Sequence, residues 1–594
     1  MSVPLHIGAA AGWDALTFPE LVKSRADRSP QAIAYRFLTG AGSYDQITYS
    51  QLDVAARTIA GRLRSIACAG DRALLLYPPG LEFISTFFGC LAAEIVAVPA
   101  YPPLPARIAR TAPQLERIAA DAGVSLVLTT VALRDVMSPV LDRHPALRGA
   151  TWIATDGPGS EDRILTLPSR YDPDAVALLQ YTSGSTGMPR GVAVTHSNLI
   201  HNSRQIYRLF GHSTDTIGVS WLPPYHDMGL VGGVLQPMFG GFPVIQLSPL
   251  SFVQRPIRWL EAISREGATS SGAPNFAYEL CIRKTTPDQR KNLDLSTWKV
   301  AFNGSEPIRP ETLQRFSELF APCGFDPAAF LPCYGLAEAT LLVSVADHSP
   351  ARMDASFAAA ELERRRAVPA RTAGPGVRRL VRVGRSIDEQ SVEIVDPERL
   401  EPCGPGIVGE IWVQGPSVAQ GYWNRPAETA RAFNAYLSNG GPGPFLRTGD
   451  LGFKSDGQLY IVGRTKNLLI FRGRNYYAED IETTVESSHS AIRPGSVAAF
   501  SADVDGEERL IVMAEVERHP QDCRSTVETA IRCSVSESYG LAVHWLSLEL
   551  PGGVPKTTSG KVQRQLCRAE FLGRVNVPVP ALTPDVQQLE SIRT

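Results

Sequence analysis

AVALLQYTSGSTGMPRG, residues 175–191, decides how the rest of the chain is read. An apolar, strand-like run (ALLQY) breaks into TSGSTG. Glycines let the backbone bend so that successive N–H groups point into one concavity, and hydroxyls add donors. Such a nest binds anions, phosphate above all. Arg190 supplies a cation. A Walker loop needs Gly, four residues, then Gly-Lys-Ser/Thr, and here the fifth residue after Gly184 is Pro189. The other Gly-Lys pair, Gly560-Lys561, is followed by Val562, and position 555 is Pro. The kinase and P-loop NTPase readings fail at both places. Taken alone, the loop is either a phosphate cradle or an ordinary turn.

The strand feeding this loop belongs to a long alternation. FPELVKSRADRSP, IAYRFL and YSQLDVAARTIAGRLRSI read as helix, strand, helix across 18–66. ALLLYPPG (73–80) is a buried-type strand closed by Pro-Pro-Gly, and LEFISTFFGCLAAEI then has helical apolar spacing. The pattern continues through VAVPAYPP, LERIAADAG, VSLVLTT, GVSWLPP, PVIQLSP, ATSSGAP and WKVAFNGSEP. Strands alternating with helices imply an α/β architecture with parallel or mixed sheets. Several strands end in Gly/Pro/Ser-rich turns, the carboxyl ends where open α/β sheets bind ligands. After about residue 380 the texture shifts to short strands with polar turns (SVEIVD, GEIWVQG, GQLYIVGR), a small β unit. From about 467 the chain reads as a separate small α+β domain with a tail. Residues 344–380, Ala- and Arg-rich with Arg364, Arg365 and Arg366 in a row, read as a surface helix and loop.

Bulk properties narrow the classes. At 594 residues the chain exceeds one compact domain. A formal net charge of −2 gives no overall basic footprint for nucleic acid. The opening MSVPLHIGAAAGWD lacks a charged n-region and an apolar h-region. No apolar run is long enough to cross a membrane, so the expected setting is cytoplasmic. Nine scattered cysteines without a CxxC pair read as reduced, buried thiols, and zinc-ligand spacing is absent.

The phosphate-type loop has company: AFNGSEP (301–307), LPCYGLAEAT (331–340), FLRTGDLGF (445–453), GRTKNLLIFRGRNYYAEDIE (463–482) and GVPKTTSGKVQR (553–564). In this order the motifs resemble the adenylate-forming superfamily of acyl-CoA synthetases, luciferases and peptide synthetase adenylation domains, over nearly the whole chain. WLPPYHDMGL (221–230), SPLSFVQRPIRWL (248–260), SGAPNFAYELC (271–281) and YGLAEATLLV (334–343) are similar to the fatty acyl-AMP ligases within it. The segment 344–380 sits where that subfamily carries an insertion.

The resemblance implies ATP and Mg²⁺ as cofactors and a set of roles. Thr182, Ser183, Gly184, Ser185, Thr186 and Gly187 would wrap the β- and γ-phosphates. Arg190 stands where the family usually has Lys, which keeps the charge but changes its geometry. Ser305, Glu306 and Pro307 would flank one face of adenine, with the Tyr334 ring on the other and Gly335 beside it. Glu338 would bind Mg²⁺, Asp450 would accept both ribose hydroxyls, and Arg464 would contact ribose or phosphates. Lys561 would act on the α-phosphate and carboxylate, the point where two anions must meet. His226 would lie near the acyl carboxylate. The Gly-rich run 229–241 reads either as an acyl-tunnel wall or as plain helix packing. The implied domains are 1–465, with the insertion, and a mobile 466–594 carrying Lys561, with its hinge at Lys466. The implied reaction makes acyl-AMP and pyrophosphate, then passes the acyl group to the phosphopantetheine of a separate acyl carrier protein. The rivals are a long-chain acyl-CoA synthetase and a non-catalytic nucleotide-binding homologue.

Overall fold

Ala73, Leu74, Leu75 and Leu76 are all fully buried, so a strand made of them must be covered on both faces. In the computed structural model it lies inside a seven-stranded sheet. The structure describes residues 15–40, 42–103, 108–157, 164–182, 189–347, 353–371, 374, 376–471, 474–504, 507–517, 524–557 and 560–575. The sheet runs in the order Gly421–Tyr422, Arg190–Thr195, Val176–Thr182, Val96–Pro99, Arg72–Leu76, Leu126–Thr129, Thr151–Ala154. The last five are parallel, and the first two join antiparallel. Side chains alternate between faces. Leu74 and Leu76 pack with Leu115 and Ile118 of the helix Ile108–Ala122. Ala73 and Leu75 join a larger core with the helices Tyr49–Arg64 and Leu81–Ala92. Leu81–Ala92 is buried from Phe83 to Ala92, as a helix packed against strands of two sheets must be.

The second sheet has nine strands in the order Arg385–Ser386, Leu342–Val345, Phe330–Gly335, Val300–Asn303, Ser270–Ala273, Gly218–Ser220, Val244–Gln246, Ile33–Leu38, Tyr44–Thr48. From Phe330–Gly335 to Ile33–Leu38 the strands are parallel. Its far face is filled by a ring cluster that includes Trp259, Tyr278, Trp298 and Phe316. A four-stranded antiparallel unit follows, Ser391–Val395, Gly409–Gln414, Leu446–Ser455 and Gln458–Arg464.

All of this belongs to one compact unit whose last residue is Leu468; a second unit starts at Leu469. The second unit is a three-stranded mixed sheet, Ile492–Val504, Glu507–Val516 and Val543–Glu549. Helices Ala478–Ser488 and Arg524–Tyr539 cover one face, and Arg564–Val575 packs Cys567 and Phe571 on the other.

Two expectations are corrected. Residues 344–380 are not a surface helix and loop. Asp354–Ala358 and Val377–Val381 pair antiparallel, with one short helical turn, Ala359–Leu362, between them. Phe357 anchors the pair, its ring 4.9 Å from Phe453 and 5.3 Å from Tyr460. Arg364 and Arg366 both pair with Glu361, so the arginine run is a solvated, partly neutralised face. The thiols are free, but Cys68 and Cys533 are exposed rather than buried; Cys523 lies outside the described residues. Among the described residues no helix is long and apolar enough to cross a membrane.

Candidate active site

The parallel strands Val300–Asn303 and Phe330–Gly335 run side by side, with Asn303 level with Pro332. Their carboxyl ends are Gly304-Ser305 and Tyr334-Gly335. A Cβ on Gly335 would sit 1.7 Å from the Leu341 carbonyl oxygen, so only glycine lets the chain turn back there. Ser305 has φ +71°, a left-handed conformation that is uncommon for a residue with a side chain and a feature of functional sites. Ser305, Tyr334 and Gly335 line a common cavity. Glu306 is engaged elsewhere, where its Oε1 accepts from the Phe276 N–H at 2.6 Å, at the start of the helix Asn275–Lys284. Pro307 is exposed.

Asp450 is buried, although it carries a carboxylate. Burying such a charge needs partners, and two are present. Tyr334 Oη donates to Oδ2 at 2.8 Å, and Arg464 Nε lies 2.6 Å from Oδ1. The Asp450 carboxylate holds the Arg464 guanidinium above its ordinary range. Burial, then the same carboxylate, pushes the Tyr334 hydroxyl up, so it stays a donor. The Asp450 N–H is itself fixed on Thr448 Oγ1 at 3.0 Å.

A few residues after Gly335, the half-buried Glu338 accepts from Tyr422 Oη at 2.8 Å. The Arg190 guanidinium lies over the Tyr422 ring at 5.3 Å and within 2.8 Å of Glu428 Oε2. Arg190 is thus held by a carboxylate and a ring, through the fork and flat face that distinguish it from Lys. Tyr422 links Arg190 to Glu338, and sequence reasoning missed it. The only signal for it was the aromatic pair in GYWNRP (421–426). Among the described residues no group of three metal-ligating side chains exists. A lone carboxylate suits Mg²⁺, which binds through one or two carboxylates plus phosphate oxygens and keeps several waters.

Thr182 ends its strand opposite Arg190. Ser183, Gly184, Ser185, Thr186 and Gly187 lie outside the described residues. His226 precedes the short helix Asp227–Leu230, and its Nδ1 lies 2.5 Å from Asp227 Oδ1. Its neighbours Asp227 and Met228 line the cavity. Gln180 Nε2 donates to the Tyr225 carbonyl at 3.0 Å, tying this turn to the strand that leads to Thr182.

The cavity is partly open to solvent and its walls are mainly apolar. The Gly-rich run contributes to it in part. Gly232, in a π-helical turn, lines it, and a Cβ there would meet nothing within 4 Å. Gly229 is a packing glycine instead, because a Cβ there would lie 2.0 Å from the Pro223 oxygen.

Lys561 belongs to the second unit. Its carbonyl accepts from Thr557 N–H at 2.7 Å and its N–H donates to Thr557 Oγ1 at 3.0 Å, while Gly560 takes φ +86°. Lys556 Nζ donates to Ser496 Oγ at 2.6 Å, and Glu515 accepts from Gly552 and Val554 N–H groups. The loop is braced by its own sheet. Lys466 lies in the single turn Thr465–Asn467 at the end of the first unit.

With this geometry in view, the comparisons are specific. Residues 22–423 match the family model of AMP-binding enzymes, and residues 466–576 match the Disco-interacting protein 2-like AMP domain. The medium-chain-fatty-acid–[acyl-carrier-protein] ligase JamA of Moorena producens is 46% identical, over 94% of this chain and 95% of its own. The long-chain-fatty-acid–AMP ligase FadD26 of Mycobacterium tuberculosis is 38% identical, over 94% and 99%. The crystal structure of the Legionella pneumophila fatty acyl-adenylate ligase, in complex with acyl adenylate and pyrophosphate, superposes with TM-score 0.73 at 39% identity, covering 94% of this chain and 96% of that one. The chain belongs to the AMP-binding, adenylate-forming enzymes and, within them, to the fatty acyl-AMP ligases.

Proposed function

We propose that this protein joins a fatty acid to ATP, releasing pyrophosphate and forming acyl-AMP, and that the acyl group then passes to the phosphopantetheine thiol of a separate acyl carrier protein. The observation that carries this reading is the apolar cavity walled by Ser305, Tyr334 and Gly335, next to the Tyr334–Asp450–Arg464 cluster. An acyl chain and a nucleoside would meet at those residues.

Tyr334 would cover one face of adenine, and Asp450, its carboxylate already oriented, would accept the ribose hydroxyls. Glu338 would hold Mg²⁺, whose positive charge offsets that of the phosphate oxygens. Thr182 and the loop after it would cradle the β- and γ-phosphates. Carboxylate attack on the α-phosphorus forms the acyl–phosphate bond and breaks the bond to pyrophosphate. Lys561, carried on a braced loop of the second unit, would offset the charge that builds up as the two anions meet. His226, next to cavity residues, would sit near the acyl carboxylate. We take 466–594 as the mobile domain, Lys466 as its hinge and the cytoplasm, with its ATP supply, as the setting.

Carrier protein rather than CoA is favoured as acceptor by the segment 353–381. Phe357 packs on Tyr460, and Arg378 Nη2 donates to the Val462 carbonyl at 2.8 Å. Both partners lie on Gln458–Arg464, the strand that leads to Lys466. A hairpin anchored there would restrict the swing that CoA transfer needs. The test is exchange of labelled pyrophosphate into ATP, which should depend on fatty acid and vanish in Lys561→Ala. Exchange without fatty acid, or at the wild-type rate in the variant, would refute the reading.

A further inference from the structure

One wall of the acyl cavity is polar. His212, Ser270 and Gln236 all line it, and all are buried. The Gln236 amide lies between His212 Nδ1 at 3.2 Å, the Tyr207 N–H at 3.3 Å and the Ser203 carbonyl at 3.0 Å. We assign its oxygen and nitrogen from these neighbours: an N–H can only donate and a carbonyl can only accept, so the oxygen faces Tyr207 and His212 and the nitrogen faces Ser203. That arrangement fixes the imidazole tautomer: Nδ1 carries the proton and Nε2 is the acceptor. Ser270 Oγ lies 2.9 Å from Nε2 and must therefore donate to it. The relay runs from Ser270 through His212 to Gln236 and leaves the Ser270 oxygen with lone pairs. No other hydrogen bond to that oxygen occurs among the described residues. The chain of bonds thus ends in an acceptor at the cavity.

The relay is not a hydrolytic device. Burial among the rings of Tyr207, Phe210 and Phe242 pushes the His212 imidazole down to about 3, too weak a base to take the serine proton. Its place in the cavity suggests another use. Ser270 is level with Val300, and Ala273 with Asn303, on neighbouring parallel strands. Ser305 lies two residues beyond Asn303. The three strand intervals from Val300 to Asn303 span about 10 Å at roughly 3.3 Å per residue, and the chain then turns through Gly304 to the left-handed Ser305. Ser305 and Tyr334 mark the nucleotide end of the cavity, and Ser270 marks the far end.

We propose that the Ser270–His212–Gln236 relay is a specificity element that receives a hydrogen-bond donor at the distal end of the acyl chain, so that the enzyme favours a medium-length fatty acid carrying a terminal hydroxyl. This rests on the acyl-cavity reading above. The relay offers an acceptor, so a terminal ether, which has no proton to give, gains nothing.

The test compares kcat/KM for acyl-AMP formation from octanoate, decanoate and dodecanoate with that from their ω-hydroxy and ω-methoxy analogues. For the length that fits, the hydroxy acid should exceed the methoxy acid by roughly three- to tenfold, the worth of one neutral hydrogen bond. Ser270→Ala, its fold checked by circular dichroism, should bring the ratio to about one. His212→Phe, which removes the fixed acceptor for the serine proton, should lower it too. Turnover of the simple acids with a hydroxy-to-methoxy ratio of one in the wild type would overturn the proposal alone. Turnover of no acid in the series would overturn the acyl-cavity reading and the proposal with it.

Discussion

Replacing Gly232 by Leu should shorten the accepted acyl chain without unfolding the protein. The Cβ direction at Gly232 opens into the cavity with nothing within 4 Å, so the added side chain has space that substrate otherwise fills. Its four carbons displace about four methylenes of acyl chain. At ~0.8 kcal/mol per buried methylene, the longest acid that fits should lose roughly 3 kcal/mol of binding. That corresponds to a fall in kcat/KM on the order of a hundredfold. Acids about four carbons shorter should be turned over nearly as before. The assay is pyrophosphate release across a series of straight-chain acids, with the thermal midpoint measured alongside. Gly229→Ala is the control, because its Cβ would lie 2.0 Å from the Pro223 oxygen. Overpacking of this kind costs ~1–3 kcal/mol of stability and should lower activity for every acid alike. Equal losses for short and long acids in Gly232→Leu would refute the acyl assignment of the cavity.

Asp450→Asn keeps the shape but removes the charge that Arg464 faces and Tyr334 Oη donates to. The KM for ATP should rise about tenfold or more, since hydrogen bonds to charged groups are worth ~1.5–3 kcal/mol; an unchanged KM would remove Asp450 from the nucleotide site. Lys561→Ala should lower the adenylation rate by ~10²–10³ while leaving ATP binding, followed by calorimetry, largely intact. His212 stays neutral in the folded protein down to about pH 3, whereas in the unfolded chain it takes up a proton below about 6.5. This residue should therefore cost about 1.4 kcal/mol of stability per pH unit as pH falls from 6.5 towards 3. His212→Phe should lose stability less steeply over that window, as judged by thermal midpoints. Phe357→Ala, which unpacks the 353–381 hairpin from Phe453 and Tyr460, should raise acyl-CoA formation relative to wild type in a product assay; an unchanged product profile would contradict the restraining role of the hairpin.

The sequence carried most of the fold because its apolar runs have clean periods. IAYRFL and ALLLYPPG are the strands Ile33–Leu38 and Arg72–Leu76, and the helix read over LEFISTFFGCLAAEI is Leu81–Ala92. Tyr44–Thr48 escaped notice because it is an edge strand with Asp45 and Gln46 exposed, so no buried face marks it. Val543–Glu549 escaped because Trp545 is 44% exposed and blurs the alternation. The hairpin at 354–381 is held by contacts from Phe357 to residues about a hundred positions away, which no local pattern encodes. Of the site, the bends around Ser305 and Tyr334 were legible because glycines stand at the ends of their strands; Asp450, read as lying in a turn, is instead inside the strand Leu446–Ser455, where it pairs with Arg464. Tyr422 and the Ser270–His212–Gln236 relay were not. Their meaning comes from pairing across the fold, with Glu338 and Arg190 in the first case and among three separate elements in the second.

The most direct test of the account is a product analysis. The protein is incubated with ATP, Mg²⁺ and a radiolabelled medium-chain fatty acid, with CoA present or absent, and acyl-AMP is separated from acyl-CoA. The account predicts acyl-AMP that persists when CoA is present and is discharged by a phosphopantetheinylated acyl carrier protein. Abundant acyl-CoA, or no adenylate at all, would contradict it.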